Sequence, residues 1–251
     1  MKKMILFMLV LSLAACSTTT EQPKQQFGRE TALQAYLWQQ RSGEYKALSY
    51  QAYNSAKWYV QQELQNKHNR KRAVVFDIDE TVLDNSFSGA YEVKYNIPWK
   101  KENFDKWVFE AKAEAMAGAV DFIKFLQENR VEPIFISNRT VDQVDVTLKN
   151  FKSVGINVKK ENLLFMQADW GKENRRLEVA KKYDIIMLVG DNLHDFNKAY
   201  NDVDADTRVK LVHEMSKDFG GKYIILPNPL YGDWEKALPK VEDKRDLLLI
   251  K

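Results

Sequence analysis

The chain has 251 residues, 38 of them basic and 35 acidic, and a formal charge of +3. Two of those charges are Lys2 and Lys3 at the start of an N-terminal signal; without them about +1 remains, so no net basic field argues for nucleic acid or an anionic membrane surface. A single cysteine excludes any disulfide within the chain, so stability must come from one sizeable packed core, which the 45% hydrophobic content allows.

Residues 4–13 are apolar behind the basic pair. That is the pattern of a secretory signal, and it is too short for a membrane-spanning helix, which needs roughly 20 apolar residues. The run ends in Leu13-Ala14-Ala15-Cys16. Small residues before a lone cysteine resemble the bacterial lipobox. The resemblance implies cleavage before Cys16 and acylation of its thiol and new amine. Ser17 follows rather than an aspartate, which points to the outer membrane of a Gram-negative envelope. Several acyl chains anchor firmly where one would be marginal. Residues 1–15 are thus read as a lipoprotein signal peptide. Residues 16–30 are polar without a hydrophobic period and are read as the lipidated cysteine and a flexible tether.

From residue 31 to about 65, Ala, Leu, Tyr and Trp recur at spacings of three and four, which predicts helix, broken at Ser42-Gly43. "NKHNRKR" (66–72) reads as a charged turn. "AVVFDID" (73–79) reads as a buried strand, and 87–130 as mainly helical with an irregular aromatic stretch around "YNIPWKKENFDKW". Strands are predicted at 132–138, 162–166, 185–191 and 222–228, with helices at 141–152 and 172–183. Strands separated by helices imply an α/β fold, a parallel sheet with helices on both faces. In such sheets the site lies beyond the carboxyl ends of the strands.

Those ends are chemically loaded. The first is Asp77-Ile78-Asp79, the second Ser137-Asn138-Arg139, and the fourth Gly190-Asp191-Asn192 with Asp195 one turn on. Lys172-Glu173-Asn174-Arg175-Arg176 opens the helix after the third strand. Side chains at i and i+2 of a strand share a face, so Asp77 and Asp79 point together while Ile78 faces away. An aspartate can attack phosphorus and split one hard step into two. A carboxylate attacking a phosphate ester meets like-charge repulsion, which a divalent cation held by oxygen ligands would relieve.

"FDIDETVLDNS", "FISNRT", Lys172 and "VGDNLHDF", in that order, resemble the four motifs of the haloacid-dehalogenase superfamily, and within it the class C acid phosphatases with their lipoprotein 5′-nucleotidases. The resemblance spans roughly 73–235. It implies a Rossmann-like sheet with a smaller, mostly helical cap domain. The smaller domain would take 31–70 and 87–120, the core 71–86 and 121–240, and 241–251 would be a tail. It implies a Mg2+ ion held by Asp77, Asp191 and the main-chain carbonyl of Asp79. Asp77 would be the nucleophile. Asp79 would be the acid that protonates the leaving alcohol and then the base that activates water. Ser137 and the amides after it would hold the phosphoryl group, and Lys172 would neutralise it. Lys160, Arg175 and Arg176 are the other cations near that position. Asp195, Asn138, Arg139 and Arg175 would support, Asp195 by orienting Lys172 or a metal-bound water. Asp84 is read as a turn or surface carboxylate. His194 stands beside the site without an assigned role.

"LPNPLYGDWE" (226–235) is similar to a segment in which a tyrosine stacks on a nucleobase, which makes Tyr231 the candidate for base recognition. Such stacking is worth about 1–3 kcal/mol with little base preference. The expected activity is hydrolysis of phosphomonoesters, including nucleoside 5′-monophosphates and nicotinamide mononucleotide. The alternatives are a broad-specificity phosphatase or phosphotransferase, or a non-enzymatic surface binder. Expected partners are a small phosphomonoester, a membrane through the lipid anchor and, from the resemblance, a second copy in a homodimer; no nucleic-acid polymer is expected.

Overall fold

The computed structural model describes residues 32–167 and 171–250. The signal, Cys16 and the tether therefore lie outside the described residues. Five parallel strands form the central sheet: β1 (Lys71–Phe76), β4 (Glu132–Thr140), β5 (Leu163–Met166), β6 (Tyr183–Gly190) and β7 (Tyr223–Ile225), in the order β5-β4-β1-β6-β7. A short antiparallel pair, β2 (Leu83–Asp84) and β3 (Glu114–Ala115), sits apart from it. The helices are α1 (Leu33–Arg41), α2 (Gly43–Glu63), α3 (Ser86–Lys94), α4 (Lys101–Glu110), α5 (Ala119–Glu128), α6 (Val144–Ser153), α7 (Lys172–Lys182), α8 (Ala205–Glu214) and α9 (Asp233–Lys236). No helix among the described residues is long and apolar enough to cross a membrane.

The two-residue period of the strands divides the core. Val74, Phe76, Phe135, Phe165 and Val189 face one side, under Tyr53, Ala56 and Val60 of α2, Phe122, Ile123 and Leu126 of α5, and Phe151 of α6. Ala73, Val75, Ile134, Ile136 and Leu188 face the other, under Val179 of α7 with Phe196 and Tyr223. Strands buried on both faces must be apolar throughout, which is why they read as continuous hydrophobic runs. On the first side Phe76 stacks on Phe135 at 5.5 Å, and Phe135 meets Phe151 at 4.9 Å, tilted.

Three details differ from expectation. Strand β1 stops at Phe76, and Asp77 extends the ladder only by donating its amide to Val189 O at 2.9 Å; the chain then turns sharply, with Glu80 at φ 56°. The aromatic stretch is less irregular than its proline suggested, because α4 begins at Lys101. The third concerns α2, which the sequence grouped with the smaller domain. Its Tyr53, Ala56 and Val60 belong to the same buried cluster as β1, so this helix covers the sheet. The break between α1 and α2 falls at Ser42, whose Oγ accepts from Tyr45 N at 3.1 Å and caps α2.

Candidate active site

The sheet's carboxyl edge is where the loaded strand ends converge. Asp77 follows β1, and its neighbour Ile78 is fully buried in the core, so the carboxyl faces the edge. Lys172, the first residue of α7, reaches across from 95 positions away: its Nζ lies 2.6 Å from Asp77 Oδ1 and 2.5 Å from Asp195 Oδ1. All three side chains are less than a tenth exposed. Asp191, just past β6, accepts from Thr81 Oγ1 at 3.1 Å and from Asn228 Nδ2 at 2.8 Å.

Lys172 is thus the cation of this cluster. Lys160 pairs with Asp145 on the surface instead. Arg175 is fully buried and donates to Ser137 O, Leu164 O and Asn138 Oδ1, fixing the turn after β4. Arg176 donates to the carbonyls of His194 and Asp195. Both arginines bind chiefly backbone carbonyls, Arg176 also pairing with Glu173, and neither is hydrogen-bonded to the carboxyl group of Asp77, Asp191 or Asp195.

Oxygens of Asp77, Asp191 and Asp195 lie within 4.8 Å of one another. Burial lifts the Asp77 carboxyl to about 6, against the pull of Lys172. Burial and the charges of Asp77 and Asp195 push Asp191 well above its ordinary value. Asp195 goes the other way: burial would raise it, but Lys172 and His194 outweigh burial and hold it low. Burial also opposes the charge on Lys172, yet Asp195 and Asp77 keep its ammonium above its ordinary value. Among the described residues three carboxyl groups share one ammonium in a desolvated place, and any negative charge beyond that ammonium is left uncompensated. Hard oxygen donors with surplus negative charge fit a divalent cation of the magnesium or calcium type.

Asp79 is held separately. Arg139, whose side chain is 1% exposed, donates to Asp79 Oδ1 through Nη2 at 2.7 Å and through Nε at 3.1 Å. Asn85 Nδ2 donates to the same oxygen at 2.8 Å and is itself steadied by Trp107, whose Nε1 donates to Asn85 Oδ1. Ser137 is buried, with Oγ 3.4 Å from Asp79 Oδ2. Asn138 is exposed at the mouth of a cleft of about 710 Å³ that Lys172 and His194 also line. Tyr231 is half-exposed, and its hydroxyl donates to Glu80. Asp84 ties α1 to the start of α3, accepting from Gln39 Nε2 and Ser86 N at 2.9 Å each. Trp99 is among the most exposed aromatics.

Several residues of this edge went unread in the sequence: Glu80, Thr81, Asn85, Asn228 and Asp233. Thr81 and Glu80 stand inside the "DIDET" string. Asn228 closes the predicted strand "KYIILPN", so the rule that flagged the other strand ends applied to it as well.

The sequence model of the HAD superfamily, subfamily IIIB (acid phosphatase), matches residues 9–234, and the chain belongs to that family. Among solved structures, the class C acid phosphatase from Bacillus anthracis with tungstate bound is 40% identical, with a TM-score of 0.80 over 83% of this chain and 88% of that one. A further structure of the Bacillus anthracis class C acid phosphatase is 41% identical, with the same TM-score and coverage. Vegetative storage protein 1 of Arabidopsis thaliana is 26% identical over 190 residues, 71% of this chain and 62% of its own. Stem 28 kDa glycoprotein of Glycine max is 29% identical over 136 residues, 50% of this chain and 52% of its own. The chain spans about half to three fifths of the length of these curated relatives.

Proposed function

We propose that the protein is a metal-dependent phosphomonoester hydrolase working through a phosphorylated Asp77. The reading stands on the convergence of Asp77, Asp191 and Asp195 around Lys172, in a chain of the acid phosphatase family. A divalent cation, Mg2+ in this reading, held by Asp77, Asp191 and the carbonyl of Asp79 would withdraw charge from the phosphoryl oxygens.

Asp77 Oδ attacks phosphorus, and the bond to the leaving alcohol breaks as its oxygen takes a proton from Asp79. Asp79 then draws a proton from water, water attacks the aspartyl phosphate, and Asp77 returns free as inorganic phosphate departs. Lys172, charged because two carboxylates hold it so, offsets the negative charge facing Asp77. Arg139 and Asn85 keep Asp79 at one place while its proton comes and goes. Ser137 and the amides after it donate to the transferring group. Tungstate, bound in the Bacillus anthracis enzyme, is a tetrahedral oxyanion like phosphate, which favours a phosphoryl pocket here too.

The substrate within that class is a nucleoside 5′-monophosphate, including nicotinamide mononucleotide, with Tyr231 stacking on its ring. The same reading places the enzyme on the outer membrane, anchored through lipid on Cys16, its cap formed by the helices beside the sheet, and working as a homodimer. Purified protein should release phosphate only with a divalent cation. Asp77→Asn should lower turnover by about four orders of magnitude while circular dichroism stays unchanged; near-normal turnover in that variant would refute the mechanism. Turnover of nicotinamide mononucleotide, AMP and p-nitrophenyl phosphate separates nucleotide preference from broad specificity, which would give three similar values of kcat/KM.

A further inference from the structure

The segment after β7 touches the edge of the site at three points, one of them the carboxylate cluster itself. Asn228 donates to Asp191, Tyr231 donates to Glu80, and Asp233 Oδ2 lies 2.6 Å from His194 Nδ1. Gly232 makes the turn that serves the last two: its φ is +146°, and a Cβ there would come within 3.0 Å of Asn192 Nδ2 and of Trp234. The His194 contact holds the Asp233 carboxyl well below the usual carboxylate range, and Lys236 braces it at 3.0 Å.

The other face of His194 looks at the catalytic cluster. Its Nε2 lies 3.4 Å from Asp195 Oδ1, the oxygen that receives Lys172. This nitrogen is buried and makes no hydrogen bond among the described residues. Asp195 is confined elsewhere too. Its Oδ2 accepts from Asn192 N at 3.0 Å, and a Cβ on Gly190 would stand 2.4 Å from that oxygen. Beyond the imidazole lies the cleft, lined by His194, Asp233 and Lys172.

We propose that His194 and Asp233 are a positioning pair: Asp233 fixes the imidazole through Nδ1, and the ring walls Asp195 off from the cleft so that Asp195 holds Lys172 on Asp77. Of the three clustered carboxyl groups His194 meets only Asp195, so its effect passes through that carboxylate. Lys172 already lines the cleft, whereas Asp195 does not; without the ring, water reaches Asp195 as well, screens the pair from both sides, and lets the ammonium wander from the nucleophile. The loss falls on kcat, where charge at Asp77 changes, and spares KM.

This proposal rests on the phosphatase reading, and one set of variants separates the two. The full chain in detergent with Mg2+ is assayed on p-nitrophenyl phosphate as wild type, His194→Ala, His194→Gln, Asp233→Asn and the Ala/Asn double variant. His194→Ala should lose about tenfold or more in kcat with KM within about twofold, the scale seen when outer partners of a ligand shell are removed. Asp233→Asn should lose several-fold. The double variant should be no worse than His194→Ala, because the two residues act as one unit. Glutamine, which keeps a polar wall beside Asp195, should recover part of the loss, and it stands in for alanine if the alanine variant does not fold. A His194 variant with kcat within twofold of wild type, or losses that multiply in the double variant, overturns the pair. If the wild type hydrolyses no phosphomonoester, the phosphatase reading falls and calorimetry decides alone. Mg2+ binding weakened about fivefold or more by the His194 variant then supports the pair, and unchanged or absent binding overturns it.

Discussion

In the proposed mechanism Asp77 is both nucleophile and ligand, yet its own surroundings resist the charge. With burial lifting its carboxyl to about 6, a proton would compete with a bound cation for the same oxygens. The protonated acid cannot ligate, so affinity is lost as pH falls through that value. Calorimetry should give an apparent Kd for Mg2+ about tenfold weaker at pH 5 than at pH 7. Glu80 makes a separate case. Burial pushes its carboxyl well above the ordinary 4.5, with Asp79, Asp191 and Asp84 adding to the effect. The folded state therefore holds this proton more tightly than the unfolded chain does. The stability it contributes is complete below about pH 4.5 and is lost as the pH rises through the raised value. Glu80→Gln should flatten that decline, so that a scan of Tm from pH 5 to pH 8 falls by several degrees less than in the wild type. Parallel curves would show that Glu80 is not the source. Residues of this kind were only partly legible. Asp77, Asp79, Ser137 and Asp191 could be read because each ends a hydrophobic run. That Arg139 clasps Asp79 could not, because the pairing depends on which two strands lie side by side, and nothing local records it.

Helix α2 shows how a single element ties core to site. Its Tyr53 is buried against Phe122, and its hydroxyl donates to Thr81 O at 2.7 Å, in the turn that carries Asp79. Tyr53→Phe keeps the packing and strands a buried carbonyl, at a cost of about 1–2 kcal/mol. For a chain of this size that lowers Tm by roughly 3–6 °C, measurable by differential scanning calorimetry. The strands were legible as elements, since burial on both faces leaves no polar interruption, and they begin and end within a few residues of expectation. Helix α8 was not. Its Arg208 is buried and grips Tyr200 O, while Val209 is exposed, so its hydrophobic pattern names no face. The pair β2 and β3 escaped notice because two residues carry no period. The placement of α2 over the sheet also lay beyond the sequence, because an amphipathic stripe says that a helix packs without saying on what.

At the scale of the molecule, stability and function pull apart. With a lone cysteine there is no disulfide staple within the chain, and the buried carboxylate cluster sets like charges together where, in the proposed mechanism, a cation would offset them. Ligand present at a hundred times its Kd adds about 2.7 kcal/mol, so saturating Mg2+ should raise the wild-type Tm by roughly 5–10 °C. Asp191→Asn should reverse the order. Relieved of one buried charge, the variant melts at or above the wild type in chelator, gains nothing from Mg2+, and is inactive; a Mg2+-induced rise equal to that of the wild type would place the ion elsewhere. The strand order β5-β4-β1-β6-β7 has one more effect. Positions 77, 172, 191 and 228 become neighbours only after the middle strand has found both flanking partners and the last strand has docked. A polypeptide whose strands have not all paired has scattered acids with no shared grip on an ion, so the proposed chemistry belongs to the completed sheet and to no part of it.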